Sequence, residues 1–77
     1  MIAISTSGNS ANVLEAVKAA RKRGVFVVGF TGAKGGALAK AADLCLRAPS
    51  DVTARVQECH ITAGHILCEM IEDALPK

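Results

Sequence analysis

A chain of 77 residues has room for one small domain and none for a second, because a polypeptide this short buries only a modest share of its surface on folding. Its hydrophobic half (51%) contains no tryptophan or tyrosine and comes from Ala, Val, Ile and Leu, the usual filling between a parallel sheet and its helices. A formal net charge of only +2 argues against a nucleic-acid-binding surface, and its main cluster, Lys18, Arg21, Lys22 and Arg23, falls at the end of a predicted helix, where cations complement the dipole.

Met1 to Ser5 reads as a short buried strand, followed by a run of turn and cap residues from Ser5 to Ser10. From Ala11 to Arg23 the apolar residues Val13, Leu14, Val17 and Ala20 recur at helical steps, with Asn9 or Ser10 placed to cap the free amides and Gly24 placed to stop the helix. Val25 to Thr31, β-branched and aromatic between glycines, is expected to be a second buried strand, joined to the first in parallel by a right-handed crossover. Gly32, Gly35 and Gly36 make a loop, Ala37 to Ala42 a short helix, Leu44 to Ala48 a third strand, and Pro49-Ser50-Asp51 closes the unit. The opening strand has no earlier element to cover or pair it, so the expectation is a truncated domain.

Val52 to Ala74 reads as one long helix with three faces, at 100° per residue. Val56, Cys59, Ala63, Ile66, Leu67, Met70 and Ala74 form the expected core stripe, and Arg55, Glu58, Thr62, Glu69 and Asp73 the solvent stripe. The third face carries Ile61, Gly64, Cys68 and Leu75 beside Gln57 and His65, apolar enough to predict an oligomer interface next to a functional site.

The hydroxyl-rich loop after the first strand carries the main chemical signal, since open α/β sheets bind ligands at the carboxyl ends of their strands. A phosphate there would meet unpaired amides at a helix start and hydroxyls from Ser5, Thr6, Ser7 and Ser10. The plainer alternative is that these are only turn and capping residues; four hydroxyls in six residues favour phosphate. The loop Gly32-Ala33-Lys34-Gly35-Gly36 meets neither nucleotide-binding glycine pattern, so it is read as a tight turn with Lys34 in solvent and no nucleotide or organic cofactor is expected.

His60 and His65 stand about 140° apart on the helix and cannot readily serve one site. His60, beside the core stripe, reads as a satisfied structural histidine, while His65, on the flank of Gln57, could shuttle protons near neutral pH. Cys59 and Cys68 lie about 180° apart, which rules out one tetrahedral zinc centre using both. Three cysteines without paired spacing predict a reducing compartment, the cytoplasm. No apolar run approaches the roughly 20 residues of a membrane span, so no membrane partner is expected.

Ile4-Ser5-Thr6-Ser7-Gly8-Asn9-Ser10 resembles the phosphate loop of sugar isomerase (SIS) domains. Thr53 to Ile61, followed by Gly64-His65-Ile66-Leu67-Cys68, is similar to the last helix of bacterial phosphoheptose isomerases. The resemblance takes in nearly all of residues 1–77 and about the carboxyl-terminal half of one SIS domain. It implies a partial three-layer, doubly wound, flavodoxin-like parallel α/β sheet of about three strands with a long last helix. It further implies a homotetrameric isomerase that interconverts sedoheptulose 7-phosphate and D-glycero-D-manno-heptose 7-phosphate through an enediol, the first step towards the heptose of lipopolysaccharide or other surface glycans. Ser5, Thr6, Ser7 and Ser10 would hold the phosphate, His65 would be one acid/base, and Gln57 its polar neighbour. Some members bind zinc there, with Gln57 and His65 as ligands. The family's partner glutamate has no counterpart here, so the chain alone is expected to bind without turnover. A non-catalytic relative, a phosphosugar-binding protein or an adaptor of the DnaA initiator, is the alternative; those adaptors keep the turn seen here as Arg55-Val56-Gln57 but tend to lack the histidine at His65, whose presence favours the isomerase.

Overall fold

A computed structural model describes residues 1–76. Three strands, β1 (Ile2–Ile4), β2 (Val28–Thr31) and β3 (Leu44–Arg47), form a parallel sheet in that order. Helix α1 (Ala11–Lys22) crosses from β1 to β2, α2 (Gly36–Ala41) from β2 to β3, and α3 (Thr53–Ala74) follows β3. Ile2 pairs with Val28 and Val28 with Leu44, so side chains at these levels project to one face and those of Ala3, Gly29 and Cys45 to the other. The α1/α2 face holds the core, Ala3, Val17, Val27 and Leu38, with Val13, Leu14, Ala20, Ala41 and Ala42 packed around it. Across the sheet, α3 lies over Phe30, giving the expected three layers.

The second strand is shorter than its apolar run, and the backbone hydrogen bonds explain why. Gly24, at φ +74°, ends α1 as predicted: its amide bonds the Arg21 carbonyl while the Val25 amide bonds that of Ala20. The Val27 amide is taken by the Asp43 carboxylate at 2.7 Å, and its carbonyl accepts from Asp43 and Leu44. Val25 and Phe26 therefore lie outside the sheet, and Phe26 is 59% exposed.

The core stripe expected along α3 holds only at its beginning. Val56 and His60 are buried, whereas Ile66 and Met70 are 52% and 61% exposed. Four-residue strands give a sheet roughly 13 Å deep, while a 22-residue helix runs about 33 Å, so α3 overruns the surface it could cover. No helix among the described residues is long and apolar enough to cross a membrane, and the three cysteines are free.

Candidate functional site

Three loops meet at the carboxyl edge of the sheet. The loop after β1 turns at Gly8 (φ +73°), and the loop after β2 at Gly35 and Gly36 (φ +74° and +59°). These glycines abut one another. A Cβ on Gly8 would lie 2.0 Å from the Gly35 carbonyl oxygen, and one on Gly36 would lie 2.7 Å from that of Ser7. The second glycine loop is thus more than the tight turn its sequence predicts, because it must also admit the first loop at van der Waals distance. The Leu38 amide bonds the Gly8 carbonyl at 2.8 Å and the Gly32 amide that of Thr6 at 3.0 Å, fastening the two loops together.

The hydroxyls predicted to hold an anion divide into two groups. Ser5 is buried, and its Oγ accepts from the Gly8 and Ser10 amides and pairs with Ser10 Oγ at 2.8 Å, so it organises the loop from within. Thr6 and Ser7 face outward into a cavity of about 380 Å³, shared with Asn9, Lys34, Ser50, Asp51, Thr53 and Val56. Ser10 occupies the N-cap position of α1 without capping it, because its hydroxyl is spent on Ser5. Asn9 does not cap α1 either; its Oδ1 accepts from the Ala37 amide at the start of α2. The first helical bond of α1 runs from Leu14 to Ser10, so the amides of Ala11, Asn12 and Val13 precede it with no side chain capping them. An anion is the natural cap for such an end, since it meets both the bare N–H groups and the positive end of the helix dipole.

Lys34 is exposed but lines the cavity rather than standing apart from it. Ser50, Asp51 and Thr53 join the cavity from the third loop; no motif marks them, and their only sequence signal is that they follow the third strand, at the same sheet edge as the other loops. Ser50 joins the loops: its carbonyl accepts from the Ala33 amide and its Oγ from that of Val52.

Gln57 and His65 lie elsewhere, on the wall of a groove of about 720 Å³ between α3 and the sheet, whose floor includes Ile2, Ile4 and Phe30. They share this groove although eight residues separate them by about 12 Å along the axis. His60 lines it too. Its Nε2 bonds the Thr31 carbonyl at 2.9 Å, while its buried Nδ1 has no partner, so the expectation of a satisfied structural histidine holds for one nitrogen of the two. Among the described residues no three His, Cys, Asp or Glu side chains form a metal-binding cluster. Gln57 and His65 alone are too few for a zinc ion, which takes four ligands in a structural site and three plus water in a catalytic one.

Comparison with known proteins places these loops in a family. The SIS domain model matches residues 1–67. The chain belongs to the SIS domain family. Over 75 residues this SIS chain is 57% identical to a phosphoheptose isomerase of Rhodospirillum rubrum, an alignment covering 97% of the chain and 40% of that protein. Over 74 residues it is 47% identical to one of Aneurinibacillus thermoaerophilus, covering 96% of the chain and 37% of the relative. The solved phosphoheptose isomerase of Neisseria gonorrhoeae superposes with a TM-score of 0.86 at 49% identity, over 91% of this SIS chain and 40% of that one. That of Francisella tularensis gives 0.87 at 41%, over 94% and 41% respectively. The chain therefore spans about two fifths of the length of the relatives it matches.

Proposed function

We propose that the protein is a phosphosugar isomerase that interconverts sedoheptulose 7-phosphate and D-glycero-D-manno-heptose 7-phosphate. The observation that carries this is the start of α1: bare amides with no side-chain cap, beside the outward hydroxyls of Thr6 and Ser7, at the sheet edge where open α/β folds take their ligands. Identity to phosphoheptose isomerases over almost the whole chain supports the same substrate class.

In this reading Thr6, Ser7 and the amides of the first turn of α1 bind the phosphate, Ser10 borders it, and Ser5 shapes the loop. Isomerisation moves a proton from C1 of the ketose to C2 through an enediol, with compensating proton movement between O1 and O2. His65 serves as one acid/base, with Gln57 orienting a hydroxyl or carbonyl oxygen. The second acid/base comes from outside the described residues, and the 77-residue chain alone binds phosphosugar without turning it over. If the protein carries zinc, Gln57 and His65 would supply two donors, with the rest from elsewhere, and the ion would polarise the carbonyl.

The apolar third face of α3 supports a homo-oligomer, a tetramer in this proposal, and the product would feed the heptose of lipopolysaccharide or other surface glycans in the cytoplasm. The test is aldose formation from sedoheptulose 7-phosphate by the full-length protein and its His65→Ala variant. The variant is expected to lose turnover by about a hundredfold or more while its affinity for the phosphosugar stays within about twofold. Unchanged turnover would remove His65 from the mechanism, and a wild-type protein that binds but does not isomerise would favour the adaptor class.

A further inference from the structure

Helix α3 is 22 residues long, yet Val56 and His60 are its only buried residues among those described. His60 also makes the one side-chain hydrogen bond from α3 to the sheet among the described residues, to the Thr31 carbonyl at 2.9 Å. A carbonyl oxygen only accepts, so Nε2 carries a proton and donates it, while Nδ1 is buried and unpartnered. The imidazole packs on Phe30, with ring centroids 5.4 Å apart. The Thr31 carbonyl is itself fixed, since it also receives the Ala48 amide from the end of β3 at 2.9 Å. One residue later, Gly32 donates to the Thr6 carbonyl of the hydroxyl loop. A short continuous path therefore runs from the cradle, through the end of β2, to one point on α3.

That point lies three residues after Gln57 and five before His65. A hydrogen bond there fixes both the roll of the helix and its height along its axis. Without the bond, α3 would rest on the sheet through Val56 and the half-buried Cys59, Ala63 and Leu67, none of which sets its rotation by a directional contact, and a roll of one residue's step, about 100°, would carry both side chains off the groove wall.

We infer that His60 is a positioning residue for the isomerisation: its Nε2–H bond to the Thr31 carbonyl sets where His65 and Gln57 stand relative to a phosphate held by the loop after β1. The inference rests on the isomerase reading above. Small misplacements of this kind fall on the chemical step more than on binding, because the phosphate cradle is built from other elements.

The experiment compares three variants of the full-length protein. His60→Phe keeps a ring on Phe30 without a donor, His60→Gln puts an amide nitrogen near the place of Nε2, and His60→Asn puts one near Nδ1. His60→Phe is expected to lower kcat about tenfold or more with KM for sedoheptulose 7-phosphate within about twofold. His60→Gln is expected to recover most of that loss and His60→Asn little of it. Wild-type kcat in a folded His60→Phe protein overturns the inference, as does a KM that rises in step with the fall in kcat. If His60→Phe does not fold, the other two variants decide at matched thermal stability, and equal activity in both overturns it. A wild-type protein without turnover sinks the isomerase reading and this inference with it, whereas unaltered turnover in the variants sinks the inference alone.

Discussion

On one face of the sheet α1 and α2 close over Ala3, Val17, Val27 and Leu38, whereas on the other α3 covers Phe30 and leaves Ile2, Ile4, Leu44 and Leu46 exposed. The same strands supply both faces, and the open one is the more apolar, with Ile2, Ile4, Val28, Phe30, Leu44 and Leu46 against Ala3, Gly29, Thr31, Cys45 and Arg47. The cover runs the other way. Helices of 12 and 6 residues bury Ala3, Gly29 and Thr31 on the closed face and leave Arg47 exposed at its edge, while one helix of 22 residues crosses the open face and continues past the sheet. The closed face holds the chain together and presents the loops. The open face carries the groove with Gln57 and His65, and its uncovered aliphatic side chains fit a surface that receives another element.

Substitutions on each side test this contrast. The largest effect is expected for Leu38→Ala: the side chain is fully buried at the centre of the closed core, and its truncation should cost about 2–5 kcal/mol, read as a shift in the urea midpoint of the 77-residue chain. A whole domain of this size has only about 4–12 kcal/mol of stability, so partial unfolding at room temperature would agree with the prediction. A cost below about 1 kcal/mol would mean that the closed face is not the core.

A middle effect is expected at Asp43, which fastens the closed face at its rim. Its carboxylate accepts from the Val27 amide at 2.7 Å and from Arg21 at 2.6 Å. The Val27 hydrogen bond first, and the Arg21 hydrogen bond and charge with it, hold the Asp43 carboxyl below its ordinary value of 3.8, against a smaller opposing effect of desolvation. Because the folded value is the lower one, this contribution is fully present above the unfolded pKa and fades as pH falls through it towards the folded value. Asp43→Asn should therefore lower stability at pH 7 and flatten its decline between about pH 5 and 3. Wild-type and variant curves that stay parallel through this window would show that the clasp contributes nothing to acid sensitivity.

The smallest effect on this chain is expected on the open side. Ile66→Ser removes an apolar side chain that is already 52% exposed, so stability should change by no more than about 0.5 kcal/mol. A loss comparable with that of Leu38→Ala would show that α3 is packed in solution by something the isolated sheet does not supply.

The order strand, hydroxyl loop, helix, strand, glycine loop, helix, strand, long helix was readable from residue pattern alone, because apolar periodicity, Gly24 and the polar turns act within a few residues of themselves. For the same reason Ser5, Thr6, Ser7 and Ser10 stood out as one loop. Their division of labour did not, since whether a hydroxyl turns inward or outward depends on neighbours several residues away. Nor did the joining of Lys34, Ser50, Asp51 and Thr53 to Thr6 and Ser7, which requires three strand ends to be brought to one edge. Residue pattern was enough for the elements and for gathering the hydroxyls into one loop, because those signals are local. Asn9 caps α2 instead of α1 because two loops distant in sequence meet at one sheet edge, and His60 anchors α3 to Thr31 while the core stripe of α3 ends after two turns because a four-residue strand reaches only a short way beneath a helix several times its length.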